Sequence, residues 1–408
     1  YLVIIPVILA ILTTVFFWDI IAKKSFFWFD FLIGNYPRTA YMAERISTGH
    51  LPLWIPYIYG GQPFAGTNPS HFLYPFNAIL SLFTGSGHLS SYTVEISIII
   101  QIFLSGIFMF LLLREIGVKK LSALFGSTVF IFSLPMVVRT QHTSELYGMV
   151  WIPLIFYFLI LAFRTRKMLF ASLGGLICGI CILGAHPQFN FYLLPVVGVY
   201  LIYRIITGNE RKKFITLSII FLIIAFLISS PRMLPEIEYT MRSARIAGGS
   251  EGYAPLKTIA ALFMPHIFGK GMASYDYWGG YKSYLMFVEY SSYTGIISLI
   301  LICVLIFRLR KRKIRFFIYL LAFSLIFMFG KYNPIQKFIS LFLPGLRFHV
   351  RFMPFFVFSA AVLSSFSLDR IAGLKGSGGN DFFRKLSLGM LIGSVLLLII
   401  TMVWKLSY

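Results

Sequence analysis

The chain has 408 residues, of which 58% are hydrophobic and only 12% are charged, and this composition excludes a soluble globular protein. Its formal net charge of +22 would suit a nucleic-acid-binding protein. The basic residues, however, lie between apolar stretches in a pattern typical of membrane proteins, so no nucleic acid partner is expected.

Eleven apolar stretches predict membrane-spanning helices, because about 20 residues of α-helix cross the roughly 30 Å of hydrocarbon in a bilayer. They occupy residues 1–18, 93–113, 121–138, 149–163, 168–183, 191–203, 214–230, 294–307, 316–329, 355–368 and 388–404. The sequence opens inside the first stretch and stops at the end of the last, so we expect the natural protein to continue past residue 408. The predicted fold is an all-α polytopic integral membrane protein that forms one module over residues 1–408.

Two long loops, residues 19–92 and 231–293, interrupt an otherwise regular series of short connections. Of the 36 Lys and Arg residues, 20 fall in alternate short loops, whereas the intervening short loops carry five. This asymmetry follows the positive-inside rule and puts both long loops on the extracytoplasmic side of a bacterial or archaeal cell membrane.

The first long loop contains the segment from Gly49 to Phe64, which is crowded with aromatic residues, prolines and glycines. Five prolines between residues 52 and 75 exclude one long helix, so we expect short helices and ordered turns on the membrane surface. The aromatic side chains of this segment suit two roles. They could form a shelf for a sugar or isoprenoid chain, or an interfacial aromatic belt. The rings are those of Trp54, Tyr57, Tyr59 and Phe64.

Two of the three cysteines, Cys178 and Cys181, have C-x-x-C spacing inside a predicted span. Gly174, Gly175 and Gly179 lie beside them. Small residues in such a stretch let two helices approach closely, so the segment predicts helix packing rather than a redox or metal site.

Four features, in this order along the chain, carry a resemblance to a known family. They are Asp30 soon after the first span, the Gly49 to Phe64 segment with Tyr74-Pro75, Gly184-Ala185-His186-Pro187-Gln188, and Leu343 to Arg351 leading into Asp369-Arg370. On a profile of eleven spans, this set resembles the YfhO family of bacterial membrane proteins, within the GT-C class of glycosyltransferases. The resemblance implies an enzyme that transfers a sugar from a polyprenyl-phosphate donor to a cell-surface polymer or glycoconjugate on the outer side.

Asp30 matches the position at which GT-C enzymes carry an essential carboxylate in the first external loop, and the resemblance therefore implies a catalytic Asp30. A carboxylate near the membrane interface can take the proton of an acceptor hydroxyl. Many class members have a second acid here, but this chain has Asp30-Phe31-Leu32. A divalent ion, Mg or Mn, would therefore need Glu44 or Glu145 to complete its site. The other interpretation of Asp30 is a helix cap or a local ion pair.

Three arginines are candidates for binding the donor phosphate. Arg347 and Arg351 are four residues apart, so on a helix they would share a face at the outer membrane boundary. Guanidinium groups there would stabilise the leaving phosphate through bidentate hydrogen bonds, or else anchor the chain to lipid headgroups. Arg232, just after the span that ends at residue 230, is a further candidate.

Other polar and aromatic side chains of the predicted outer face are candidates for the substrate pocket. His142, Glu145, His186 and Gln188 lie in short turns near the membrane surface, where a polar group must face a cavity or find a partner. For the two histidines, structural hydrogen bonding is the alternative, and the histidine spacings match no zinc site. The remaining candidates are Glu44, Trp54, Tyr57, Gln62, Asn68 and His349.

Two other functions remain open from the sequence. A transporter or flippase of lipid-linked sugars would also need a polar cavity among helices, but it should carry charges or helix breakers near the middle of its spans. A non-catalytic assembly scaffold is the second, because Asp30 lacks an acidic companion.

Overall fold

The structure is a computed structural model that describes residues 3–27, 29–66, 71–84, 88–242, 256–269, 285–290, 292–305, 314–329 and 349–372. The described residues are almost entirely helical. The eleventh predicted span, residues 388–404, lies outside them.

Sixteen α-helices are numbered in chain order within the described residues. They are α1 (Ile4–Phe16), α2 (Trp18–Ile21), α3 (Tyr36–Ser47), α4 (Pro75–Leu80), α5 (Ser91–Glu115), α6 (Lys120–Ile131), α7 (Leu134–Val138), α8 (Thr143–Thr165), α9 (Met168–Gly184), α10 (Pro187–Thr207), α11 (Arg211–Met241), α12 (Ala260–Phe263), α13 (Leu285–Tyr290), α14 (Ile296–Leu305), α15 (Arg315–Met328) and α16 (Met353–Ala372). A π-helical turn covers Phe31–Asn35, and 3₁₀ turns cover Ser81–Phe83, Leu256–Ile259 and His349–Phe352. Strands β1 (Trp54–Ile55) and β2 (Gln62–Pro63) form an antiparallel hairpin.

Five of the described helices, namely α5, α8, α10, α11 and α16, are long and apolar enough to cross a membrane. Helices α1, α6, α9 and α15 are shorter but also apolar. These nine helices, together with α14, coincide with ten of the predicted spans, so an all-α multi-pass membrane protein is supported. The total of eleven spans stays a prediction.

Two of the predicted boundaries are wrong. The span predicted at residues 121–138 is divided into α6 and α7, because the chain leaves the helix after Ile131 and Pro135 restarts it from the first turn. The long loop predicted to begin at residue 231 instead begins as helix, since α11 runs through Pro231 and Pro235 to Met241. These prolines remove two backbone donors, but the helical path continues.

Helices α8 and α16 are the most deeply buried of the long helices. Helix α8 packs against α5 and α9, while α16 packs against α6, α14 and α15. Aromatic rings fill the space between them, as Phe156 of α8 lies 5.2 Å from Phe358 of α16 between ring centroids. These ring contacts hold α8 and α16 together in the core.

Glycine determines how closely α9 approaches α11. A Cβ atom on Gly175 would lie 2.5 Å from the carbonyl oxygen of Phe221, and one on Gly179 would lie 2.5 Å from Cβ of Ile228. Cys178 and Cys181 are buried in the same helix. The prediction that this segment serves helix packing is confirmed.

The first long loop folds into short elements, as predicted, and is tied to the helices by hydrogen bonds. The backbone N–H of Phe27 donates to Glu95 Oε1 at 3.0 Å, at the start of α5. Tyr74 is fully buried, its hydroxyl donates to Gln101 at 2.6 Å, and its ring stacks on Tyr147 of α8. This ring passes so close to Gly184 that a side chain there would not fit, because an added Cβ would lie 2.6 Å from the ring.

The three basic short loops that the structure describes in full, residues 114–120, 164–167 and 204–213, lie at the opposite end of the helices from this loop. There Arg164 pairs with Glu115 at 2.8 Å, and the Lys119 N–H donates to Asp369. Alternating helix directions thus separate a basic end from an end that carries the first long loop.

We expect cysteine labelling to assign these two ends to the two sides of the membrane. In a Cys303→Ala background, where Cys178 and Cys181 are buried, Tyr57→Cys should react with a membrane-impermeant maleimide in intact cells. Tyr57 is 80% exposed in the first loop. Lys212→Cys, at the basic end, should react only after permeabilisation. The reverse pattern would invert the predicted orientation.

The α9–α11 contact predicts opposite effects for two chemically identical substitutions. Gly179→Ala should destabilise the protein by about 1–3 kcal/mol, because the added methyl group overlaps Ile228. Gly198→Ala on α10 meets open space and should be neutral or stabilise by up to about 1 kcal/mol through helix propensity. Thermal unfolding of both variants in one detergent measures the difference, and equal midpoints would refute the packing role of Gly179.

Candidate active site

Asp30 and His142 form a close pair at the end of the helices that carries the first loop. His142 Nε2 lies 2.6 Å from Asp30 Oδ2, although the two residues are 112 positions apart in the sequence. The Asp30 side chain is 35% exposed and that of His142 is 12% exposed. Asp30 makes no side-chain cap on the following π-helical turn. Of the two non-catalytic interpretations, the cap is therefore excluded, and the contact with His142 is the local pairing that the other interpretation requires.

A guanidinium group on the other side of the imidazole determines which nitrogen carries the proton. Arg139 Nη1 lies 3.2 Å from His142 Nδ1. Arginine can only donate, so Nδ1 must accept and the ring proton of a neutral His142 must be on Nε2. That proton points at Asp30 Oδ2, which leaves Oδ1 of the carboxylate with no protein hydrogen bond among the described residues.

Arg139 also belongs to a closed ring of two arginines and two glutamates. Its Nε and Nη2 atoms contact Glu145 Oε2 at 2.8 Å and Glu289 Oε2 at 2.9 Å. Arg351 closes the ring, with Nη1 at 3.1 Å from Glu145 Oε1 and Nη2 at 2.7 Å from Glu289 Oε1. The four charges sum to zero, and all four side chains are less than 20% exposed. We call these four residues the charge ring.

Four separate parts of the chain supply the charge ring. Arg139 follows α7, Glu145 lies in the first turn of α8, Glu289 lies in α13, and Arg351 lies in the 3₁₀ turn before α16. Because a charge buried without its partner is very costly, each segment depends on the others for its position.

Further hydrogen bonds fix the backbone around Asp30. Asn35 Nδ2 donates to the carbonyl oxygens of Asp30 and Gln141, which ties the π-helical turn to the segment before α8. Phe29, directly before Asp30, has a φ of 54°. For a bulky residue this left-handed conformation costs about 1–2 kcal/mol, so the surrounding contacts must hold it in place.

Electrostatics keep the charge ring ionised. Although burial alone would raise the pKa of Glu289, Arg139 and Arg351 hold that pKa well below its ordinary value. The Glu289 carboxylate is therefore charged at neutral pH.

Gln188 extends the charge ring toward α10. Its Oε1 accepts from Arg351 Nη1 at 3.4 Å, and its Nε2 donates to Tyr192 Oη at 2.9 Å. His186 lies in the same turn, where its Nδ1 accepts from the Gln188 backbone N–H, and it caps α10. The structure thus brings together five predicted site residues, Asp30, His142, Glu145, Gln188 and Arg351.

The other predicted site residues that the structure describes do not join this cluster. Glu44 is exposed on α3, and Trp54 and Tyr57 point outward from the hairpin with 54% and 80% exposure. Gln62 pairs with Ile55 across the same hairpin. Arg347 and Asn68 lie outside the described residues, as does the side chain of His349.

Arg232 lies in a different polar cluster. It is 2% exposed, and its Nη1 donates to the carbonyl oxygens of Ile182 and Leu183 at 2.8 and 2.6 Å. The guanidinium of Arg351, in turn, is engaged by two glutamates, so a donor phosphate would have to displace a carboxylate there. Phosphate binding by the three predicted arginines stays a prediction.

Sequence reasoning missed two members of the charge ring, Arg139 and Glu289. A signal existed for Arg139, because it is a basic residue in a short turn that the positive-inside rule would leave uncharged. Such an exception needs a local partner. Glu289 had no comparable signal, since it lies at the end of a long loop of mixed composition.

Within the described residues, no group of three or more His, Cys, Asp or Glu side chains converges in a way that would hold a metal ion. Glu145, proposed from the sequence as a second ligand beside Asp30, instead binds two arginines. A role for Mg or Mn at Asp30 stays a prediction. No protein-family model matches this sequence, and no curated protein matches it.

Removing one carboxylate from the charge ring should be far more costly than removing an exposed one. Glu289→Gln leaves two buried guanidinium groups with one carboxylate, so we expect a loss of about 3–5 kcal/mol in the free energy of unfolding. The matched control is Glu210→Gln, which breaks the 2.6 Å pair with Arg166. Those side chains are 43% and 58% exposed, and such surface pairs contribute about 0–1 kcal/mol.

The same variant tests the pH dependence. Because the folded-state pKa of Glu289 is lowered, its stabilisation is present above the unfolded-state value of about 4.3 and is lost as the pH falls below it. Thermal unfolding midpoints should therefore fall less steeply on acidification in Glu289→Gln than in wild type. If the midpoints of both proteins fell equally steeply at acidic pH, the pairing of Glu289 with the two arginines would be contradicted.

Proposed function

We propose that the protein is a membrane glycosyltransferase of the GT-C type. It transfers a sugar from a polyprenyl-phosphate donor to a hydroxyl group of a cell-surface polymer or glycoconjugate on the extracytoplasmic side. The observation that carries the proposal is a partly exposed carboxylate, Asp30, which a histidine orients on a rigid, buried and electrically neutral charge ring.

In the proposed reaction Asp30 is the general base. The acceptor hydroxyl donates to Asp30 Oδ1, its oxygen attacks the anomeric carbon, and its proton passes to the carboxylate. The bond between that carbon and the phosphate oxygen breaks, so the polyprenyl phosphate leaves with the bonding electrons. One displacement inverts the sugar linkage and needs no covalent enzyme intermediate.

His142 and Arg139 keep Asp30 ready for this step. The His142 Nε2–H holds Asp30 Oδ2, so the remaining lone pairs of Oδ1 are directed away from the imidazole. The charge ring fixes Arg139, and Arg139 fixes His142. A general base held in one orientation avoids the cost of reorganisation during the reaction.

The leaving phosphate needs a cation, and the predicted candidates are Arg347, Arg351 and Arg232. Arg351 belongs to the described cluster, but Glu145 and Glu289 already neutralise it. It serves better as the residue that positions α16 against α8. Arg347, four residues before Arg351 in the sequence, is therefore the candidate we favour for the phosphate.

A non-catalytic scaffold is the second candidate, and one observation favours it. A protein without catalytic activity would also be stabilised by the charge ring, because this closed ring of two arginines and two glutamates joins four segments of the chain. A transporter is less well supported, because the charged residues of the described spans concentrate at helix ends. The scaffold predicts that Asp30 can lose its charge without consequence.

Asp30→Asn should abolish sugar transfer and leave folding intact. The amide keeps the size of the side chain but cannot accept a proton, and loss of a general base costs about 10²–10⁴ in rate. Membranes containing the protein would be incubated with a panel of radiolabelled polyprenyl-phosphate sugars, and labelled cell-surface polymer would be counted.

The control is Asp19→Asn, because Asp19 is an exposed acid of the same loop that lies on α2. It should transfer at the wild-type rate. Turnover by Asp30→Asn close to that of wild type, with an unchanged unfolding midpoint, would exclude Asp30 as the general base. No transfer by wild-type membranes from any donor in the panel would favour the scaffold over the enzyme.

A further inference from the structure

Two arginines of α3 differ from the other described arginines at the end of the protein that carries the first loop. Arg38 and Arg45 are partly buried, yet neither guanidinium group forms a hydrogen bond or an ion pair with another described residue. The other four each have a carboxylate within 3.7 Å, namely Arg139, Arg232, Arg242 and Arg351. A cation that is partly withdrawn from water without a counterion is costly. The missing counterion therefore points to an anion from outside the chain.

The guanidinium group of Arg38 can be reached by such an anion. All three of its side-chain nitrogens are accessible to solvent, as are both Nη atoms of Arg45. The two arginines are seven residues apart, so they share one flank of α3 with about 10 Å of axial rise between them. This flank borders the buried face of the helix, and burial accordingly lowers the pKa of Arg38. A ligand on this flank would thus meet a partly desolvated guanidinium, which binds an anion more strongly than an exposed one does.

Arg38 also lies in a region of positive charge, beside the second polar cluster. His71 of the first loop is 3% exposed. Burial, together with the charges of Arg232 and Arg38, holds the pKa of His71 well below its ordinary value, so both guanidinium groups lie near this ring. Glu236 pairs with Arg232 at 3.7 Å, but the charge of Arg38 has no such partner. An anion is therefore attracted to Arg38, and a cation is repelled.

The surroundings of α3 are those of a membrane surface. The Tyr36 hydroxyl donates to the Leu89 carbonyl at 2.8 Å, two residues before α5, which is one of the long apolar helices, begins. Exposed apolar side chains lie in the turn before α3 and in the 3₁₀ turn that packs against it. They are Ile33, Leu82 and Phe83, with 72%, 80% and 60% exposure. An unpaired guanidinium next to exposed apolar groups at the end of a span matches a lipid that carries a negatively charged head.

We infer that the Arg38 flank of α3 binds the phosphate group of a lipid. Arg38 donates bidentate hydrogen bonds to the phosphate oxygens, Arg45 adds positive charge along the same flank, and the apolar side chains contact the lipid chain. Two lipids present this chemistry, the proposed polyprenyl-phosphate donor and an anionic phospholipid of the membrane.

Where the lipid is the donor, the inference deepens the proposed function, on which it then rests. Arg38 follows Asp30 by eight residues on a continuous helical path, a rise of about 12 Å. The phosphate would therefore lie on the same side of the protein as the proposed base. Sequence analysis did not identify Arg38 as a candidate for this role.

Equilibrium binding of radiolabelled lipids to the full chain in detergent tests the site. The probes are polyprenyl phosphate and phosphatidylglycerol, and unlabelled polyprenol is the competitor that lacks the phosphate. We expect at least one probe to bind and polyprenol not to displace it. Arg38→Gln should weaken that binding by roughly tenfold or more, as expected for loss of hydrogen bonds to a charged group. Arg38→Lys keeps the charge but loses the planar fork, so its affinity should fall between the two.

Arg242→Gln is the matched control. Arg242 is an exposed arginine at the same end of the protein, and it already pairs with Glu238 at 2.8 Å. Its variant should bind the lipid with wild-type affinity. Equal losses of affinity in Arg242→Gln and Arg38→Gln would show a general attraction of lipid to positive charge and would overturn the site.

Thermal unfolding separates a binding role of Arg38 from a structural one. Without lipid, Arg38→Gln should keep or slightly raise the wild-type midpoint, because it removes a partly buried charge that has no partner. The lipid that binds should raise the midpoint of wild type and of Arg242→Gln, but not that of Arg38→Gln. A lower midpoint for Arg38→Gln without lipid, with the shift by lipid intact, would show that Arg38 is structural.

Two binding results would also overturn the inference: neither probe binds the wild-type protein, or Arg38→Gln binds as wild type does. Binding that depends on Arg38 supports it with either probe, and the probe identifies the source of the phosphate. The outcome for the proposed function is separate. Sugar transfer by wild-type membranes without lipid binding at Arg38 would leave the enzyme and Arg347 as its phosphate ligand. Lipid binding at Arg38 without transfer from any donor would leave only the phosphate site.

Discussion

The charge ring is the interaction on which the rest of this site depends. Two guanidinium groups and two carboxylates are held out of water, and none of them can be removed without leaving a buried charge. Their positions therefore determine one another. Because the four residues come from four parts of the chain, the ring also determines how the segment after α7, the start of α8, α13 and the start of α16 meet. The Asp30 and His142 pair is placed by this constraint.

The two ends of the helices show different uses of charge. At the basic end, the pairs of Arg164 and Arg166 have arginine side chains that are 59% and 58% exposed, so water and salt screen them. At the other end the four charges of the charge ring are buried, fully paired and sum to zero. A neutral ring costs less to bury than the same charges separately, and its field falls off quickly. The charge of Asp30, which lies beside the ring and is partly exposed, is consequently the local charge that a ligand would meet.

Periodicity and composition predicted most of the helices, because the length and the apolar composition of each stretch are visible in the sequence itself. Local chemistry also explains one wrong boundary, since Pro135 marks the break between α6 and α7. The sequence did not predict that α11 continues through Pro231 and Pro235, because packing of α11 against the first long loop stabilises the helix there. At the site, Asp30, His142, Glu145, Gln188 and Arg351 were predicted separately. Their convergence depends on contacts between residues more than 100 positions apart, which a single sequence does not show.

The short turn between α9 and α10 separates the two polar clusters and fixes the distance between them. Gln188 on one side of the turn contacts Arg351 of the charge ring, while His186, two residues earlier, lies near His71 of the other cluster. The turn cannot shift easily, because the His186 N–H donates to the Ser144 carbonyl and Gly184 lies against the Tyr74 ring. The buried ring of His71 and the base proposed at Asp30 are thus positioned by one rigid element. That element is the segment Gly184 to Gln188, so its sequence is constrained from both sides.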